Sequence, residues 1–155
     1  MNRYKQQGFS LIELIIVIVI VAILAAFAAP GFMNTIQKVR TESAQSDLVR
    51  MLKEGKRVAR SSSTTVSITL DNNVTTGSSL TLAAGSGLNR VETISSGVQF
   101  ENEIAVIFSA LGTVTPPDPD PMFRLVVVND ETAMKRYVDV TASGQIIAHL
   151  ATFTP

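Results

Sequence analysis

Glu13 has the most unusual chemical setting in this chain. It is a carboxylate inside GFSLIELIIVIVIVAILAAFAAPG, residues 8–31, where nearly every other side chain is apolar. An ionised group within a membrane-spanning helix costs up to about 2.5–3.5 kcal/mol on insertion scales, so an acid in such a run marks a function and a partner. The expected partner is a cation formed nearby. Cleavage after Gly8 would create one, because Phe9 would then begin the chain with a free or methylated amine. In a low-dielectric setting the two charges would attract strongly.

The remaining candidates for chemistry are weaker. The chain has no cysteine and one histidine, His149, in an apolar terminal stretch with no serine elbow, so a catalytic triad or a histidine-rich metal site lacks parts. His149 is read as structural or at a strand edge, and the chain as no enzyme. Gly85-Ser86-Gly87 lacks the third glycine and the strand-turn-helix setting of a phosphate loop and is read as a turn. Asp118 and Asp120, set among Pro116, Pro117, Pro119 and Pro121, offer too few oxygens for calcium, which takes six to eight. They are read as an exposed loop. Asn73-Val74-Thr75 fits a glycosylation pattern too short to carry weight. No cofactor and no metal is expected.

The elements that must position Glu13 follow from the apolar pattern. Residues 9–29 form a run that as a helix would rise about 32 Å, close to the hydrocarbon thickness of a bilayer. Arg3 and Lys5 precede it with no acid between, which holds the short N-terminus on the cytoplasmic side and sends the rest outward. Ala26-Phe27-Ala28 would suit signal peptidase, so a cleaved secretory signal is the competing architecture, but such a peptide gains nothing from Glu13. Pro30 removes a backbone donor and is expected to kink the helix. Beyond it Phe32, Ile36, Val39, Ala44, Leu48, Leu52 and Val58 recur at helical spacing, with Met51 and Ala59 beside them. One helix is expected from about Phe9 to Arg60, closed by Ser61-Ser62-Ser63.

Its second half needs something to pack on. Thr64–Leu70 alternates, with Val66, Ile68 and Leu70 on one side, and Asp71-Asn72-Asn73 reads as the turn after it. Shorter strands are expected at 80–83, 98–100, 105–108, 123–128, 137–140 and 145–148. Strand after strand with short turns favours an antiparallel sheet, so the fold class is α+β, a long N-terminal helix packed on a C-terminal antiparallel β domain. The formal net charge is zero, yet residues 38–60 carry seven basic and three acidic residues, and 61–155 four basic and nine acidic. A basic helix joins an acidic head.

Gly8-Phe9-Ser10-Leu11-Ile12-Glu13, behind a short basic leader and ahead of an unbroken apolar run to Pro30, resembles the class III signal of type IV pilins and type II secretion pseudopilins. The resemblance implies a prepilin leader over 1–8, a transmembrane and filament-core helix over 9–30, an amphipathic half over 31–60 and a β-rich head over 61–155. It implies cleavage between Gly8 and Phe9 by a prepilin peptidase on the cytoplasmic face and N-methylation of Phe9. Glu13 would then pair with the Phe9 amine of a neighbouring subunit, and Pro30 would kink or melt the helix. The partners implied are the peptidase, other pilin or pseudopilin subunits, and inner-membrane lipid before assembly.

A second likeness lies in the head. Phe108-Ser109-Ala110-Leu111-Gly112, then Phe123–Val128, then a closing hairpin with Ser143-Gly144-Gln145-Ile146, is similar to the GspH/FimT-like minor pseudopilin and pilin domain. DNA-binding members of that group carry arginines after the last hairpin glycine, where this chain reads Gln145-Ile146-Ile147-Ala148-His149. Affinity for DNA rests largely on Lys and Arg at phosphates. Nucleic acid is therefore not an expected partner, and Arg57 and Arg60 are read as a solvated helix face.

Overall fold

The computed structural model describes residues 9–73, 77–85, 87–116 and 120–149, and the side chains among them apart from 27–30 and 73. The chain falls into two compact units, Met1–Thr35 and Ile36–Pro155. Gly8, Val74, Thr75, Ser86 and Asp118 lie outside the described residues. So does the Pro30 side chain, on which the expected kink depends.

Helix α1 runs Leu11–Ser62, close to the expected bounds. It starts where the Ser10 carbonyl accepts the Glu13 and Leu14 amides at 3.0 and 3.2 Å. It ends where Ser63 turns to φ 52° and the Thr64 amide reaches back to the Ala59 carbonyl at 3.3 Å. That is the six-to-one closure of a Schellman cap, here with serine at the left-handed position usually given to glycine.

Eight strands follow: β1 Val66–Asn73, β2 Gly77–Ala84, β3 Asn89–Thr93, β4 Val98–Phe100, β5 Ala105–Phe108, β6 Met122–Asn129, β7 Lys135–Thr141 and β8 Ile146–His149. They form two four-stranded sheets, β3-β2-β1-β5 and β4-β6-β7-β8, with every pair antiparallel. The α+β architecture and the antiparallel pairing are as the sequence implies.

Two readings of the strands are corrected. Asp71–Asn73 is not a turn but the end of β1, paired with Gly77–Ser79. Asn72 faces inward, donates to the Phe100 carbonyl at 2.5 Å and accepts from the Phe100 amide at 2.9 Å and the Ser78 hydroxyl at 2.8 Å. It pairs with β4 as a backbone would and so bridges the two sheets. Strand β3 was not expected at all. It is an exposed edge whose Arg90 and Glu92 pair with Glu54 and Arg50 of α1, so it lacks an apolar alternation.

Ala44, Leu48, Met51, Leu52 and Ala59 of α1 enter one core with Val66, Ile68 and Leu70 of β1, Phe108 of β5 and Leu125 of β6. Each fully buried Leu or Phe contributes roughly 1.5–3 kcal/mol through the apolar surface it removes from water. At Gly55 the helix lies so near β1 that an added Cβ would stand 2.5 Å from Ile68 Cδ1. The expected stripe is corrected at its start: Phe32 and Val39 are exposed, and Gln37, Thr41 and Gln45 are buried instead. These polar groups are tolerated because they are bonded. Gln37 accepts from Asn129 Nδ2 at 3.1 Å and donates to Glu131, the Thr41 hydroxyl donates to the Gln37 carbonyl at 2.9 Å, and Gln45 Nε2 donates to the carbonyls of Tyr137 and His149, both at 2.9 Å.

Candidate assembly segment and head surfaces

All described side chains from Phe9 to Ala26 are exposed. Phe9 itself is 85% exposed, just ahead of the helix, and Glu13 is exposed in its first turn. An acid in that turn suits the positive end of the helix dipole. A contiguous apolar surface of this size is not stable against water and calls for a cover, either lipid or other helices. Among the described residues no single helix is long and apolar enough to cross a membrane. Leu11–Ala26 and Gly31–Ser62 meet that requirement only together, by length and composition.

In the head, the residues behind the second likeness meet one another. Phe108 is fully buried, and Gly112 (φ 77°) and Gly144 (φ 72°) both occupy the left-handed region. A Cβ on Gly144 would lie 2.0 Å from the Gly112 carbonyl oxygen, and one on Gly112 would lie 2.9 Å from Arg60 Cδ and 3.2 Å from Lys56 Cε. The Lys56 ammonium donates to the Gly144 carbonyl at 2.8 Å. The last turns of α1 thus rest their basic side chains on two touching glycine loops. Sequence reasoning placed both glycines but missed Lys56 as their clamp.

His149 sits on edge strand β8 with Nε2 3.0 Å from Asp139 Oδ2. Asp139 is buried and accepts two bonds from Arg124, each of 3.0 Å, while the Arg124 guanidinium lies 6.0 Å from the Tyr137 ring centroid. The hydrogen bond from Arg124 holds the Asp139 carboxyl below its ordinary value, against the opposing effect of burial. The same contact raises Arg124. This is a cross-strand clamp between β6, β7 and β8, with no nucleophile in it.

Asp120 and Arg57 are exposed, and Arg57 forms no ion pair among the described residues. No group of three or more His, Cys, Asp or Glu could hold a metal ion among those residues. The described groups offer recognition: an apolar helix bearing one acid, and a head whose charges, apart from buried Arg136 and Asp139, lie mostly at its surface.

Comparison with known proteins adds two findings. The family profile described as the prokaryotic N-terminal methylation motif matches residues 3–29. The crystal structure of the type IV minor pilin FimU of Pseudomonas aeruginosa superposes with a TM-score of 0.57 at 19% identity, covering 73% of this chain and 90% of that one. A second crystal form of FimU gives 0.54 at 20% identity, with 70% and 92% covered. No curated protein matches. The signal read from Gly8 to Glu13 is thus matched by the methylation-motif profile, and the expected α+β fold by the FimU structures.

Proposed function

We propose that this chain, with a prepilin methylation motif at one end and a fold similar to that of FimU over most of its length, is a minor subunit of a type IV pilus. Residues 1–8 would be the leader, 9–30 the membrane and filament-core helix, 31–60 the amphipathic half and 61–155 the head. The precursor is held in the inner membrane with its head in the periplasm. A prepilin peptidase cuts between Gly8 and Phe9, and Phe9 is then methylated.

The observation that carries this reading is Glu13, an exposed carboxylate in the first turn of a helix whose described residues to Ala26 all face outward. In lipid that acid is costly. Beside the Phe9 amine of a neighbouring subunit, among packed apolar helices, it is paired and water is excluded, so assembly lowers the energy of the subunit leaving the membrane. Van der Waals packing between the apolar helices replaces their contacts with lipid. The same parts would suit a type II secretion pseudopilus, and the FimU fold favours the pilus.

The experiment is immunodetection of the chain in filaments sheared from the cell surface, in strains with and without the prepilin peptidase. Presence in the first and absence in the second supports the reading. A chain that stays with the cell body in both contradicts it.

A further inference from the structure

Two sets of charges that form no ion pair among the described residues lie on different faces, one basic and one acidic. Along the exposed stripe of α1, Lys53, Lys56, Arg57 and Arg60 line a groove of about 490 Å3. At Lys53 it continues into another of about 410 Å3, walled by Val49, Arg50 and Ala148. Arg50 is paired with Glu92 and Asp47, whereas none of the four cations of the first groove forms an ion pair among the described residues. Lys56 is bonded to the Gly144 carbonyl, so Lys53 and Arg57 have the greatest freedom to meet an outside acid.

Asp71 and Glu103 form the complementary set. Both are exposed, both line a cavity of about 330 Å3 with Thr69, Thr81 and Ala105, and neither forms an ion pair among the described residues. Val66, Ile68 and Leu70 of β1 turn inward onto α1, and Gly55 brings the helix against that inner face. Asp71, next in the alternation, turns outward. The sheet therefore stands between the acidic corner and the basic groove, and one chain cannot join its own two sets.

We propose that the groove receives the Asp71–Glu103 corner of a second copy of this chain in a head-to-tail contact. Opposite charges on different faces make a heterologous contact, which does not close as a symmetric pair. They also steer the approach and fix its register. A polyanion such as DNA would satisfy the groove but leave the acidic corner without a partner, and the second copy accounts for both.

The chain contains no cysteine, so single introduced thiols report contacts without background. Full-length Arg57→Cys and Glu103→Cys chains in detergent, mixed and treated with a short bis-maleimide, should give a mixed dimer at least about tenfold above either chain alone. The yield should fall as salt screens the contact. It should also fall when Lys53→Glu is added to the first chain, and recover when Asp71→Lys is added to the second. Equal yields in every pairing, or no mixed dimer from chains that keep their circular dichroism, would overturn the proposal. A salt-sensitive shift of duplex DNA that Lys53→Glu abolishes would overturn it too, by giving the groove to nucleic acid. The crosslink is scored between solubilised chains, so its failure and a failure to enter filaments are separate results.

Discussion

Gly112 and Gly144 touch through their backbones: the space a Gly144 side chain would need is filled by the Gly112 carbonyl oxygen, 2.0 Å from the ideal Cβ position. Gly144 also has φ 72°, where L side chains are strained. Gly144→Ala should therefore cost more than about 2 kcal/mol, since strain and a backbone clash combine. Gly112→Ala should cost less, because its Cβ would meet the flexible side chains of Arg60 and Lys56. Urea unfolding of the detergent-solubilised chain measures both. Equal losses would mean that the loops part easily.

Gln45 joins the buried face of α1 to β7 and β8 through the carbonyls of Tyr137 and His149. Gln45→Leu removes both donors and leaves two acceptors short of a partner, at a cost of about 1–3 kcal/mol. Hydrogen exchange should rise in β8 well before it rises in β1. Uniform loss of protection would show that Gln45 does not act locally.

The lowered Asp139 carboxyl makes stability depend on acidity. A group whose folded value is depressed contributes above its unfolded value, near pH 4, and the contribution is lost as pH falls through the folded value. Unfolding free energy measured from pH 5 down to pH 2 should fall less steeply in Asp139→Asn than in the parent chain. Arg124 is largely exposed, so added salt should shrink the difference. Identical slopes would mean that the Arg124 contact is absent in solution.

The parts of the fold that were legible were those set by local pattern. Val66, Ile68 and Leu70 announced β1 by alternation, and the serines at 61–63 announced the end of α1. Asp71–Asn73 misled because Asp and Asn favour turns in general, whereas Asn72 here binds Phe100, which lies 28 residues on. Strand β3 was hidden because its inward side chains are Arg90 and Glu92, whose partners are on α1. Gln37 and Gln45 carry no signal in the sequence, since their partners are more than ninety residues away. The proposed assembly segment stood out because a single acid in an apolar run is expensive wherever it occurs.

Glu13→Ala should leave membrane insertion intact or slightly improved, because it removes a charge from the apolar run, and should lower the amount of chain in sheared filaments at least about tenfold, the equivalent of 1.4 kcal/mol of lost pairing. Glu13→Gln keeps the shape without the charge and should behave like alanine. Quantitative blotting of membrane and filament fractions reads both effects. Normal incorporation of the glutamine variant would mean that charge is not what Glu13 supplies.

Mass spectrometry of the mature N-terminus, on chain purified from cells with an active prepilin peptidase, tests the central claim most directly. The first residue should be Phe9 carrying one added methyl group. A chain that begins near Ala29, or one that retains Met1, would contradict it.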